Sequence, residues 1–233
     1  MKTAMLASND VTGITFWLVS MALLASTVFF FIERNSVKAS WRTSITLSGL
    51  VTGIAFWHYM YMREVWVATG SSPTVFRYID WLLTVPLLMV EFYFILSAVK
   101  KVSSGIFWRL LIGTLVMLIG GYLGEAGYMN VTAGFVIGMA GWIYILYEVF
   151  SGEAGQEAAK LKGAAADCFN FCKWIVTLGW SVYPLGYLFG YMIGGTDEAT
   201  LNQIYNLADF INKILFGLVI YAAAKSLTPA SSK

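Results

Sequence analysis

Apolar residues along this chain come in seven runs of roughly 20 residues, long enough to cross a bilayer as helices and far longer than the ~10-residue alternating strands of a membrane barrel. The runs cover residues 11–32, 43–62, 73–99, 107–123, 130–150, 164–193 and 201–226. Helix punctuation marks the breaks. Ser8, Asn9 and Asp10 offer side-chain oxygens to cap the first run, Glu33 and Arg34 stop it, and Pro73 suits the first turn of the third. Residues 63–72, which end in Gly70-Ser71-Ser72, read as an exposed loop with room for a short hairpin. Residues 151–162 are the longest polar stretch and must be an extramembrane connection or a helix extension. The tail, 227–233, reads as disordered.

Composition agrees with the pattern. With 58% hydrophobic and 12% charged residues and a mean hydropathy of +0.70, the 233-residue chain has too little polar surface to cover a water-soluble globule. The expected fold is an all-α membrane protein, a seven-transmembrane-helix bundle forming one domain over residues 1–233. A net charge of +2 with no basic stripe gives no reason to expect nucleic acid. Cys168 and Cys172 stand one helical turn apart without further ligands at metal-site spacing, and read as small packing residues. No apolar stretch separate from the first run precedes it, so no cleavable leader is visible: either the chain is in processed form or the first helix itself directs insertion.

Charge distribution orients the bundle. The connections after the first, third and fifth runs carry Arg34, Lys38, Arg42, Lys100, Lys101, Lys160 and Lys162, and the C-terminal end adds Lys225 and Lys233. Lys2 and Arg63 alone stand on the opposite side. Positive residues are retained in the cytoplasm, so the N-terminus is expected outside and the C-terminus inside.

The chemistry lies in ionisable residues within the runs. Lys213 is about a dozen residues from either end of the last run, roughly 18 Å at ~1.5 Å per residue, too far for its amine to snorkel to water. Asp209, four residues earlier, shares its helix face and can pair with it. The third run holds Arg77, Asp80 and Glu91, each of which costs roughly 2.5–3.5 kcal/mol near the bilayer centre unless paired or solvated. Asp80 and Glu91 fall on one face about 16 Å apart along the axis, with Thr84 between them, an arrangement that suits a ladder for protons. Arg77, one turn outward, can stabilise the Asp80 carboxylate.

Other residues carry two readings each. His58, the only histidine, is as readily structural as functional. Glu125 and Glu148 lie near helix ends and read as solvated or interfacial. Trp81, Trp180, Tyr183 and Tyr205 fall near the depth of Lys213, and Pro184 should kink the sixth run. Aromatic walls around a buried lysine suit a long, flat, conjugated ligand, though they serve ordinary packing equally well.

The run Arg77-Tyr78-Ile79-Asp80-Trp81-Leu82-Leu83-Thr84-Val85-Pro86-Leu87 closely resembles the third-helix signature of microbial rhodopsins. Together with Asp209-Phe210-Ile211-Asn212-Lys213, Trp57-His58-Tyr59 and Trp180-Ser181-Val182-Tyr183-Pro184, it makes the chain similar to the proteorhodopsins across all seven runs. The resemblance implies all-trans retinal bound as a protonated Schiff base on Lys213. It further implies Asp80 as counterion and proton acceptor, Asp209 as second counterion and Glu91 as cytoplasmic proton donor. Arg77 matches the extracellular-side arginine, and His58 the histidine bonded to the counterion. Trp81, Trp180, Tyr183, Pro184 and Tyr205 match retinal-pocket positions, and leucine at Leu88 goes with green absorption. The cleavable leader usual in the family is not seen.

The activity so implied is light-driven outward proton pumping in a bacterial plasma (inner) membrane, by a multi-pass ion transporter and not an enzyme. A homo-oligomer, pentamer or hexamer, is also implied, with Trp17 at a position near the protomer contact. A sensory rhodopsin signalling through a partner is the alternative with the same chromophore, and a non-photochemical seven-helix receptor or transporter the alternative without it.

Overall fold

The computed structural model describes residues 5–229, and every regular element among them is helical. The first span, Val11–Glu33, starts where the Asp10 carboxylate accepts the Gly13 N–H at 2.9 Å. The third, Thr74–Ser97, runs straight through Pro86. The fourth is Gly105–Glu125, and the fifth, Val131–Phe150, is capped by Asn130, whose side chain accepts from Thr132 and Ala133. The seventh, Glu198–Ser226, is capped by Asp197. The Thr200 N–H that the Asp197 carboxylate accepts holds that carboxyl below its usual range.

The second span differs from expectation. Residues expected in a loop after Met62 continue the helix to Thr69, so that it covers Arg42–Thr69. Side-chain partners on the first span support the extension. Arg63 stacks 4.7 Å from the Trp17 ring, and Trp66 Nε1 donates to the Asp10 carboxylate at 3.1 Å. Gly70, at φ 69°, then ends the helix in the left-handed conformation that glycine adopts without steric cost.

The sixth span is irregular. It runs as α-helix over Ala164–Trp174, widens to a π-turn over Ile175–Gly179, resumes as α over Val182–Tyr187 and widens again over Leu188–Met192. Pro184, which lacks an N–H, lies in the short α segment between the two wide turns.

Among the described residues, five helices are long and apolar enough to cross a membrane. The second and sixth spans fall outside that set for reasons visible in their side chains. The second turns Ser44, Ser48 and Thr52 inward, all buried, and the sixth is broken by its wide turns. Apolar groups such as Leu18, Ile32, Trp57 and Leu178 stay exposed on the outside, as a lipid-facing surface requires.

On the side where the fifth span ends, a short helix, Glu153–Ala158, occupies the long polar connection. Arg109 holds it by bridging Glu148 at 3.0 Å and Glu153 at 2.5 Å. Glu148 is therefore buried and paired, where a solvated carboxylate was expected, and it also accepts the Ala154 N–H. Glu157 pairs with Lys100 and Lys160, and the Lys100 bond holds its carboxyl below the usual range. The start of the expected disordered tail is also held, since the Thr228 hydroxyl accepts the Lys38 N–H at 2.8 Å. Residues 230–233 lie outside the described residues.

The fourth and fifth spans meet along a seam of glycines. A Cβ on Gly134 would stand 2.6 Å from Gly124 Cα and 2.9 Å from the Gly120 carbonyl, both backbone atoms that cannot step aside. Gly134→Val should force the two helices apart and lower stability by about 1–3 kcal/mol, read as an earlier thermal unfolding midpoint in detergent.

Candidate functional site

Lys213 stands at the centre of the bundle, 3% exposed. Its Nζ donates to Asp80 Oδ2 at 2.6 Å and to Asp209 Oδ2 at 2.8 Å. Both carboxylates are buried, so three charged groups from the third and seventh spans meet in a dry interior. A buried triad persists only if the remaining lone pairs find donors.

Those donors are divided unequally. Asp209 accepts Tyr59 Oη at 2.8 Å, Tyr183 Oη at 2.6 Å and Trp81 Nε1 at 3.2 Å, in addition to Lys213. Second, third, sixth and seventh spans all contribute to that one carboxylate. Asp80 has Lys213 and, at 3.5 Å, His58 Nδ1. Asp80 is thus the less satisfied acid, although it lies closer to the amine.

The other expected polar residues are placed as follows. Arg77 is buried, but its hydrogen bonds go to Tyr59 Oη at 3.2 Å, Asn202 Oδ1 at 2.8 Å and Asn206 Oδ1 at 2.9 Å. It makes no hydrogen bond to Asp80, so any stabilisation of that carboxylate acts through space. Thr84 is buried on the expected face, yet its hydroxyl donates to the Asp80 backbone carbonyl at 2.9 Å and not to a carboxylate. Glu91 is 1% exposed, and neither of its carboxyl oxygens has a hydrogen-bond partner among the described residues.

A mainly apolar cavity beside Lys213 is lined by residues of the third, fourth, fifth, sixth and seventh spans. Trp81, Leu88, Trp180, Tyr183 and Pro184 are among the residues that line it. Tyr205 is not. Its ring backs those of Trp81 at 5.7 Å and Tyr183 at 5.8 Å, one layer behind the wall.

Sequence reasoning named no wall residue from the fourth or fifth span, where Met117, Gly121, Gly138 and Trp142 complete the cavity. The recurrence of glycine in those spans was the available signal, since small residues at helix contacts let backbones approach. Glu125 also lines the cavity and is half-buried, where a solvated or interfacial position was expected. Asn212 was missed as well. Its Nδ2 donates to the Gly179 carbonyl at 3.0 Å and to Tyr183 Oη at 3.3 Å. Trp142 Nε1 donates to the Val176 carbonyl at 3.1 Å, so the wide turn of the sixth span is tied to both the fifth and the seventh.

A buried primary amine on the wall of an aromatic-lined cavity, with two carboxylates to balance a positive charge, is a donor set suited to a conjugated aldehyde condensed on that amine.

Comparison with known proteins gives a consistent result. Residues 10–227 match the family model for bacteriorhodopsin-like proteins. A green-light absorbing proteorhodopsin from Gamma-proteobacterium EBAC31A08 is 57% identical over 220 residues, which are 94% of this chain and 88% of that one. The crystal structure of a blue light-absorbing proteorhodopsin from Med12 superposes with a TM-score of 0.82 at 53% identity, covering 93% of this chain and 99% of that chain. Xanthorhodopsin, described as a light-driven ion pump with dual chromophore, superposes with a TM-score of 0.82 at 25% identity, covering 94% of this chain and 93% of that chain. The chain is a multi-pass membrane protein that belongs to the bacteriorhodopsin-like family and, within it, resembles the proteorhodopsins over nearly its whole length.

Proposed function

We propose that this protein is a light-driven outward proton pump with all-trans retinal carried on Lys213. The observation that supports it best is the Lys213 amine held between Asp80 and Asp209, with a separate, unpartnered Glu91 eleven residues further along the same helix face as Asp80. Retinal joined to the Lys213 nitrogen would supply a polyene that absorbs visible light and, on isomerising, changes the proton affinity of that nitrogen.

The side chains supply the rest of the cycle. Asp80 Oδ2, 2.6 Å from Nζ, is the acceptor, because it has fewer competing donors than Asp209. His58 Nδ1, 3.5 Å from Asp80 Oδ1, shares the field of that carboxyl. Asp209, held by four partners, remains the fixed anion. Glu91, buried with no hydrogen bond to either carboxyl oxygen among the described residues, is the donor that resupplies Nζ. Thr84 lies between the two on the same face.

With Asp80 toward the outside and Glu91 toward the inside, acceptance from one side and resupply from the other gives outward transport. That orientation, N-terminus outside and C-terminus cytoplasmic, follows from the distribution of Lys and Arg. Moving one proton against ~100 mV needs about 2.3 kcal/mol, far less than a visible photon delivers. Residues 1–233 act as one retinal-binding domain in a bacterial plasma membrane. Leu88 on the cavity wall favours green absorption, and the half-exposed Trp17 lies on a face available to a pentameric or hexameric neighbour.

Illuminated vesicles containing the protein and retinal should change the pH of the medium, and a protonophore should abolish the change. A chromophore that forms without any such change would reject the pump and favour a sensor. Glu91→Gln should leave the visible band intact and slow ground-state recovery in flash photolysis by at least tenfold. An unchanged recovery rate would remove Glu91 from the donor role.

A further inference from the structure

Asn202, Asn206, Asp209 and Lys213 follow one another at helical spacings of four, three and four, so they form a single stripe on the seventh span. Two neutral amides come first, then the acid, then the amine. Arg77 packs against the amide end. Its Nη2 donates to Asn202 Oδ1 and Asn206 Oδ1 at 2.8 and 2.9 Å, and the rings of Phe16, Tyr59 and Tyr205 lie 5.5–5.8 Å from its guanidinium carbon.

A buried guanidinium one turn from two buried carboxylates would ordinarily bind them in a bidentate fork. No ion pair of Arg77 within 4.0 Å occurs among the described residues, and its Nε has no partner. The Asp209 oxygens are already occupied by Tyr59, Tyr183, Trp81 and Lys213. The amide oxygens, in turn, are aimed. Asn202 Nδ2 donates to the Glu198 carbonyl at 2.7 Å and to Ser72 Oγ at 3.1 Å, and Asn206 Nδ2 to Thr15 Oγ1 at 3.0 Å. With the nitrogen ends committed, the oxygen ends face Arg77.

We infer that Asn202 and Asn206 are positioning residues that hold Arg77 one helical step short of the carboxylates, and so keep its charge from suppressing protonation of Asp80. The inference rests on the pump reading above. Neutral dipoles satisfy the guanidinium without cancelling its charge, so its distance from the acids sets how strongly it favours their ionised forms. The charged and titratable groups facing the acid pair are His58 and Tyr59 from the second span, Arg77 from the third, Tyr183 from the sixth and Lys213 from the seventh.

The test is a pH titration of the visible band of the retinal-loaded protein. In Asn206→Leu, Arg77 loses one of the acceptors that hold it away from the less satisfied acid, Asp80, and the acid transition of the band should shift down by about 1 pH unit. In an Arg77→Gln background the same substitution should move the midpoint by less than about 0.3 unit. Asn202→Ala, farther from the acids, should lower the midpoint by a smaller amount, and decides the matter if Asn206→Leu does not fold. A midpoint that stays put in folded variants, or a shift that persists without Arg77, would overturn the positioning role. Absence of any visible band in the wild-type protein would overturn the pump reading and this inference with it, an outcome distinct from a normal band with an unmoved midpoint.

Discussion

The ammonium of Lys213 clasped by two carboxylates in a dry interior is the contact to which the other features of the bundle are subordinate. At an effective dielectric of ~20, each pair at this distance contributes on the order of 5 kcal/mol of attraction, while desolvation costs several kcal/mol per ion. The two are close enough that the surrounding hydrogen bonds decide the balance. That is why Asp209 draws donors from four spans and why the tyrosines and Trp81 cluster around it. Removing any one of those four spans would leave a buried charge short of partners, so they depend on one another through this centre as well as through apolar packing.

The cavity that reaches this centre exists because two parts of the bundle depart from regular packing. Glycines bring the fourth and fifth spans together backbone to backbone, and the sixth span widens where Trp142 and Asn212 donate hydrogen bonds to its carbonyls. Close approach on one side and widening on the other leave a slot beside Lys213. Its walls are mainly aromatic and apolar, with Glu125, Asp209 and Asn212 as polar exceptions.

Much of this is legible in the sequence where a residue has one physical solution. A lysine too deep to snorkel needs an anion, and Asp209 at four residues and Asp80 on the third span are the anions found beside it. Reading failed where side chains had several partners to choose from. Arg77 was expected to serve Asp80, but the choice among Asp80, Asp209, Asn202 and Asn206 depends on how the third and seventh spans are juxtaposed, which local spacing does not specify. Residues 63–69 looked like a loop because Arg63 and Glu64 interrupt an apolar run, and the Trp17 and Asp10 partners that sustain the helix lie in another span. Glu148 looked solvated because Arg109, its partner, is 39 residues away. The Tyr205 ring fell one layer behind the wall because helical depth alone does not separate the first ring around a cavity from the second.

The account stands on covalent occupancy of one amine. Protein incubated with all-trans retinal, reduced with borohydride and digested, should yield by mass spectrometry one retinyl group on the peptide containing Lys213 and none on the other lysines. An unmodified Lys213 peptide, or a retinyl group found only elsewhere, would contradict it.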